Sequence, residues 1–175
     1  MKRQLGTIVT AMVTPFDEGG DVDLREAARL ARWLVERGND GLVVAGSTGE
    51  GQTLDSVERV ALWKAVKDEV GSDAAVVANA GTNSTCESVS AAQAAESAGV
   101  DAILAVVPYY NKPTQTGMLA HFGRSPRLRR CRSSSTTSRD ERRPTCCRRR
   151  CSSLATGTRT SWASKNRAAT SNKSA

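Results

Sequence analysis

The sequence predicts an α/β fold, a parallel sheet covered by helices, in which about four βα units make up part of a (β/α)8 TIM barrel and a basic tail follows. Three observations carry this. Short, wholly apolar segments alternate with amphipathic ones, as expected where crossover helices cover the faces of a parallel sheet. Each candidate strand ends in a polar loop. No dinucleotide glycine fingerprint follows the first candidate strand, which favours a barrel over the competing doubly wound sheet.

Gly6 to Val13 is a β-prone run closed by Thr14-Pro15, with turn residues from Asp17 to Gly20. From Leu24 to Val35 the apolar residues Leu24, Ala27, Ala28, Leu30, Ala31, Leu34 and Val35 recur at three and four, with Asp23 placed to cap the helix and Gly38 to end it. Gly41 to Val44 is the second strand. Ser56 to Val70 is the second helix, with Val57, Val60, Ala61, Trp63, Ala65 and Val66 largely on its buried side. A third strand, Ala75 to Ala78, precedes a helix from Thr85 to Ala98. A fourth, Ala102 to Val107, precedes a helix that starts over Thr114 to Phe122.

Charge divides the chain. Residues 1–123 hold 10 Lys+Arg against 16 Asp+Glu, whereas residues 124–175 hold 15 against 2. The second part is rich in Arg, Ser, Thr and Cys and poor in aliphatics, so it is expected to be disordered. The domain division is therefore 1–123 and 124–175. No apolar run is long enough for a membrane span, and Met1-Lys2-Arg3 leads into a strand rather than a signal-peptide core, so a cytoplasmic location is expected. Cys131, Cys146, Cys147 and Cys151 fit no common zinc spacing, and no metal or cofactor is expected.

In barrels the site is built from the loops at the carboxyl ends of the strands. Here these are Thr14-Pro15, Gly46-Ser47-Thr48-Gly49-Glu50-Gly51, Asn79-Ala80-Gly81-Thr82 and Pro108-Tyr109-Tyr110-Asn111. Glycines let backbone amides approach a ligand, and the hydroxyls of Ser47 and Thr48 can bind a carboxylate or pass a proton. By spacing alone the second loop reads equally as a Ser/Thr-capped helix start, and the two tyrosines as rim aromatics.

Taken together, GTIVTAMVTP from Gly6, GSTGEG from Gly46, ANAGTNST from Ala78 and VVPYYNKPTQTG from Val106 resemble, in order and spacing, the motifs of the dihydrodipicolinate synthase family. The resemblance implies a (β/α)8 barrel and a pyruvate-dependent Schiff-base lyase of lysine and diaminopimelate biosynthesis. Pyruvate would condense with a lysine amine, and the derived enamine would attack aspartate semialdehyde. By the same resemblance Thr48 holds the pyruvate carboxylate, while Ser47, standing where the family usually has threonine, and Tyr110 relay protons. Tyr110 would act across a dimer interface where Tyr109 also sits, so a homo-oligomer (dimer or tetramer) is implied. A sibling pyruvate-dependent aldolase, an N-acetylneuraminate or keto-sugar-acid lyase, is the alternative, because the carboxylate loop is shared.

The family's second relay tyrosine motif and its Schiff-base lysine motif are missing from this sequence. Lys64 and Lys67 fall on a helix, Lys112 in a loop and Lys2 near the start, and none is predicted to project from a strand end, where a desolvated amine is needed. Read one base out of phase, with synonymous choices, residues 131–141 yield PVVLYDIPGR and residues 160–170 yield IVGVKESGGD. Both missing motifs emerge in order, so the tail reads as a frameshift after Gly123. The competing reading is a basic tail that binds nucleic acid without sequence preference. Half a barrel should leave unpaired sheet edges, which predicts oligomerisation, poor solubility or degradation.

Overall fold

The structure, a computed structural model, describes residues 5–124. Four βα units follow one another: β1 (Val9–Ala11), α1 (Leu24–Glu36), β2 (Gly41–Val44), α2 (Ser56–Val70), β3 (Ala75–Asn79), α3 (Thr85–Ser97), β4 (Ala102–Leu104) and α4 (Gln115–Gly123). The strands form one parallel sheet in the order β1-β2-β3-β4, with Val9 opposite Gly41, Gly41 opposite Ala75, and Val77 opposite Ala102. Each strand lies beside its successor and the order never reverses. That is an arc of a barrel, since a doubly wound sheet has a switch point where the order turns back.

Local chemistry sets the helix starts. Asp23 accepts from Glu26 N at 2.9 Å, and Asp55 and Glu58 form a reciprocal capping box. Ser84 accepts from Glu87 N, and Thr114 from Gly117 N, at the starts of α3 and α4. Gly38 and Gly71, at φ +91° and +53°, take backbone conformations just past α1 and α2 that a side chain would oppose.

The core lies between the sheet and its helices. Leu42, Val44, Val76 and Ile103 from the strands meet Ala27, Ala31, Leu62, Trp63, Val66, Ala92 and Ala95 from the helices, all essentially inaccessible. Alanine at the contact positions of α1 and α3 brings helix backbone close to the sheet. Arg32 fastens α1 to α2, donating to Glu69 Oε1 at 3.0 Å and to Asp73 Oδ2 at 2.8 Å. Lys67 Nζ and Asp101 Oδ2, 2.8 Å apart, join the end of α2 to the start of β4.

Three expectations are corrected. β1 is shorter than Gly6 to Val13, because the Thr7 and Ile8 amides donate to Asp40 Oδ2 instead of entering a ladder. β4 stops at Leu104 rather than Val107, where the β3 ladder against it ends at Asn79. Val57 is 74% exposed in the first turn of α2, and Leu62 and Val70 take buried places instead.

Cys86 is a free, exposed thiol. The other four cysteines, Lys2, and the expected disorder and nucleic-acid binding of the tail lie outside the described residues. Among the described residues no helix is long and apolar enough to cross a membrane.

Candidate active site

The loop after β2 is formed by backbone geometry before any ligand is considered. Ala45, fully buried at the end of the strand, has φ +54°, a left-handed conformation that turns the chain sharply. Gly51 N donates to Gly46 O at 3.0 Å and closes the loop on itself. The glycines are required by packing: a Cβ at Gly51 would lie 1.8 Å from Ala45 O, and one at Gly49 would lie 2.8 Å from Met12 O.

Neighbouring strand ends hold this loop in place. Thr14 Oγ1, buried at the end of β1, donates to Gly49 O at 2.6 Å. Asn79 Nδ2, at the end of β3, donates to Ala45 O at 2.9 Å. Both are neutral side chains that satisfy loop carbonyls buried away from water. Within this frame Gly46, Gly49 and Gly51 are buried while Ser47 and Thr48 are exposed. The loop therefore presents two adjacent hydroxyls on a rigid backbone.

The loop after β4 reaches back toward it. Tyr109 Oη donates to Gln52 Oε1 at 2.7 Å, and Asn111 Nδ2 donates to Asn83 O at 3.2 Å. Tyr110 and Lys112 have φ of +66° and +44°, so this is a strained loop. Tyr110 is 92% exposed and points away from the chain. The structure thus links Tyr109 to the β2 loop and leaves Tyr110 projecting outward. Thr14 and Asn79 lie in strand-end loops already expected to build the site, although their bonds to the β2 loop were not predicted; Gln52 was missed and carries no local signal.

Among the described lysines, Lys64 and Lys67 lie apart from these loops, whereas Lys112 belongs to one of them. Lys64 is exposed on α2, Lys67 is paired with Asp101, and Lys112 stands in the β4 loop. Farther off, the groove between α3 and α4 holds His121, whose Nδ1 lies 2.8 Å from Thr85 Oγ1 and whose pKa is lowered by burial.

A sequentially ordered parallel sheet with its polar loops gathered at the strand carboxyl ends defines a protein of the (β/α)8-barrel class. Residues 4–124 match the dihydrodipicolinate synthetase family, and the chain belongs to that family. It is 60% identical over 117 residues to a 4-hydroxy-tetrahydrodipicolinate synthase from Synechococcus sp. (strain CC9605), covering 67% of this chain and 39% of the relative. Among solved structures it resembles a dihydrodipicolinate synthase from Bacillus anthracis, with a TM-score of 0.69 and 41% identity over 75% of this chain and 44% of the other. It also resembles the chloride-inhibited enzyme from Acinetobacter baumannii complexed with pyruvate, with a TM-score of 0.67 and 36% identity over 69% and 41% of the two chains. The chain therefore spans about two-fifths of the length of the relatives it matches.

Proposed function

We propose that residues 1–123 form the pyruvate-carboxylate half of a 4-hydroxy-tetrahydrodipicolinate synthase site. The observation that carries this is the loop at Ser47 and Thr48, held rigid by Thr14 and Asn79 and open to solvent at its hydroxyls. Thr48 binds the carboxylate of pyruvate. Ser47 and Tyr110 pass protons during condensation with aspartate semialdehyde. The outward projection of Tyr110 supports its service in a neighbouring subunit, and hence a homo-oligomer, with Tyr109 at the same interface.

In this reading the Schiff base is not formed by this chain. The amine must lose its proton near neutral pH, which calls for desolvation or a neighbouring cation. Lys64 and Lys67 stand on α2 rather than at a strand carboxyl end, Lys64 exposed to solvent and Lys67 paired with Asp101. Residues 124–175 are read as the family's continuation translated out of frame, with the lysine and second tyrosine left in the untranslated phase.

Borohydride reduction in the presence of pyruvate tests the reading, and no covalent adduct is expected on this chain. A stable adduct would show that a resident lysine does the chemistry. Sequencing the DNA across Gly123 tests the origin of the tail. A tyrosine triplet should straddle the codons of Ser135 and Thr136, and its absence would defeat the frameshift.

A further inference from the structure

We infer that two copies of this chain close on each other through their free sheet edges, β4 of one copy against β1 of the other at both junctions, to make one eight-stranded parallel barrel.

The edges have complementary hydrogen-bonding patterns. Met12 N donates to Val43 O, and Ile8 O accepts from Gly41 N, so these β1 peptides face β2. By strand alternation the peptide groups of Val9, Ala11 and Val13 face the open side. At the other end Ala80 N donates to Leu104 O, which turns the peptides of Ile103 and Ala105 away from β3. Among the described residues neither edge has a partner strand. A two-fold axis along the sheet's strand direction sets β4 parallel to the second copy's β1 and repeats the same junction on the far side, so one contact type used twice closes the ring. Four strands per copy give eight, the number at which side chains fill a barrel interior.

The β1 edge that this pairing covers carries exposed apolar side chains. Ile8, Val9 and Val13 are 55%, 37% and 52% exposed. On α1, Ala27 and Ala31 face the core and Arg32 turns toward α2. Trp33, a further 100° or so around the helix, stands on the outer face toward the flank turned away from α2, 48% exposed with Arg37 over its ring. That flank is where α4 of a second copy would pack. The chain's own tail is a poor substitute, because the branched aliphatic residues of 125–175 are only Leu128 and Leu154.

The test is sedimentation velocity on the full 175-residue chain. A species of twice the 18.6 kDa chain mass, unchanged as concentration rises, is expected. Ala11→Pro removes an outward N–H and leaves the bonds to β2 intact, and Trp33→Glu charges the α1 flank. Each should raise the dimer dissociation constant at least about tenfold, whereas Val57→Glu on α2 should leave it unchanged. Circular dichroism checks that each variant stays folded, and Trp33→Glu decides if the proline variant does not. A monomeric parent chain overturns the inference, and slow amide exchange at Val9 and Ala11 in that monomer would identify the tail as the cover. Growth past the dimer would indicate open head-to-tail stacking and also overturn it, as would a dimer indifferent to both edge substitutions.

Discussion

The hydroxyl of Tyr109 donates to Gln52 Oε1 across 2.7 Å, joining the loop that follows β4 to the one that follows β2. The two residues are 57 positions apart, so the bond restrains loops that no local interaction ties together. Tyr109→Phe and Gln52→Ala should each cost about 0.5–1.5 kcal/mol. The double variant should cost little more than either single one. A double-mutant cycle in urea checks this, and full additivity would mean that the bond is unimportant.

Gly51 tolerates no side chain. Its added Cβ would sit 1.8 Å from Ala45 O, a backbone atom with no freedom to move. Gly51→Ala should destabilise the chain by about 3 kcal/mol or more. Gly38→Ala meets nothing within 4 Å but holds φ at +91°, so its cost should be nearer 1 kcal/mol. Chemical denaturation of the two variants gives the comparison.

Asp101 receives Lys67 Nζ at 2.8 Å and Val76 N at 3.0 Å. The paired side chains are only 20% and 12% exposed, against 80% and 42% for Arg29 and Glu26. Asp101→Ala should therefore cost about 2–4 kcal/mol, because it leaves the mostly buried Lys67 ammonium with the Gly71 carbonyl but without its counter-ion, and the Val76 amide without its side-chain acceptor. Arg29→Ala should cost under about 0.5 kcal/mol. Equal effects in a denaturation series would contradict this ranking.

His121 is 6% exposed, and burial lowers its pKa below the ordinary 6.5. The unfolded chain keeps the ordinary value, so as pH falls through about 6.5 the unfolded ring takes up its proton first. This contribution to stability is complete above that pH and is lost on the way down to the lowered native value. His121→Gln should flatten the dependence. Urea midpoints measured between about pH 7.5 and 5.5 test the sign.

The parts of this fold legible in the sequence are those decided within a few residues. Asp23, Asp55, Ser84 and Thr114 announce their helices because a cap needs only a side-chain oxygen and an amide two or three positions on. The glycines of the β2 loop are legible for the same reason. Strand ends were less so, because β1 and β4 are cut to the length of their neighbours' ladders and Asp40 competes for the first amides of the chain's opening strand. The bonds Thr14 to Gly49 and Asn79 to Ala45 each cross about 35 residues and depend on strand register, which apolar periodicity does not specify. The bond from Tyr109 to Gln52 was not legible either, because it joins two loops 57 residues apart.

The unreversed strand order has a temporal consequence. Every ladder joins segments about thirty residues apart and already adjacent in the chain, so native pairings can form in the order in which a ribosome delivers them. β1 can dock on β2 before β3 has been made, and β3 before β4. A shift of reading frame after Gly123 changes no residue of these four strands, whose last pairing ends at Leu104. Limited proteolysis should leave a protected fragment that retains β1 through β4.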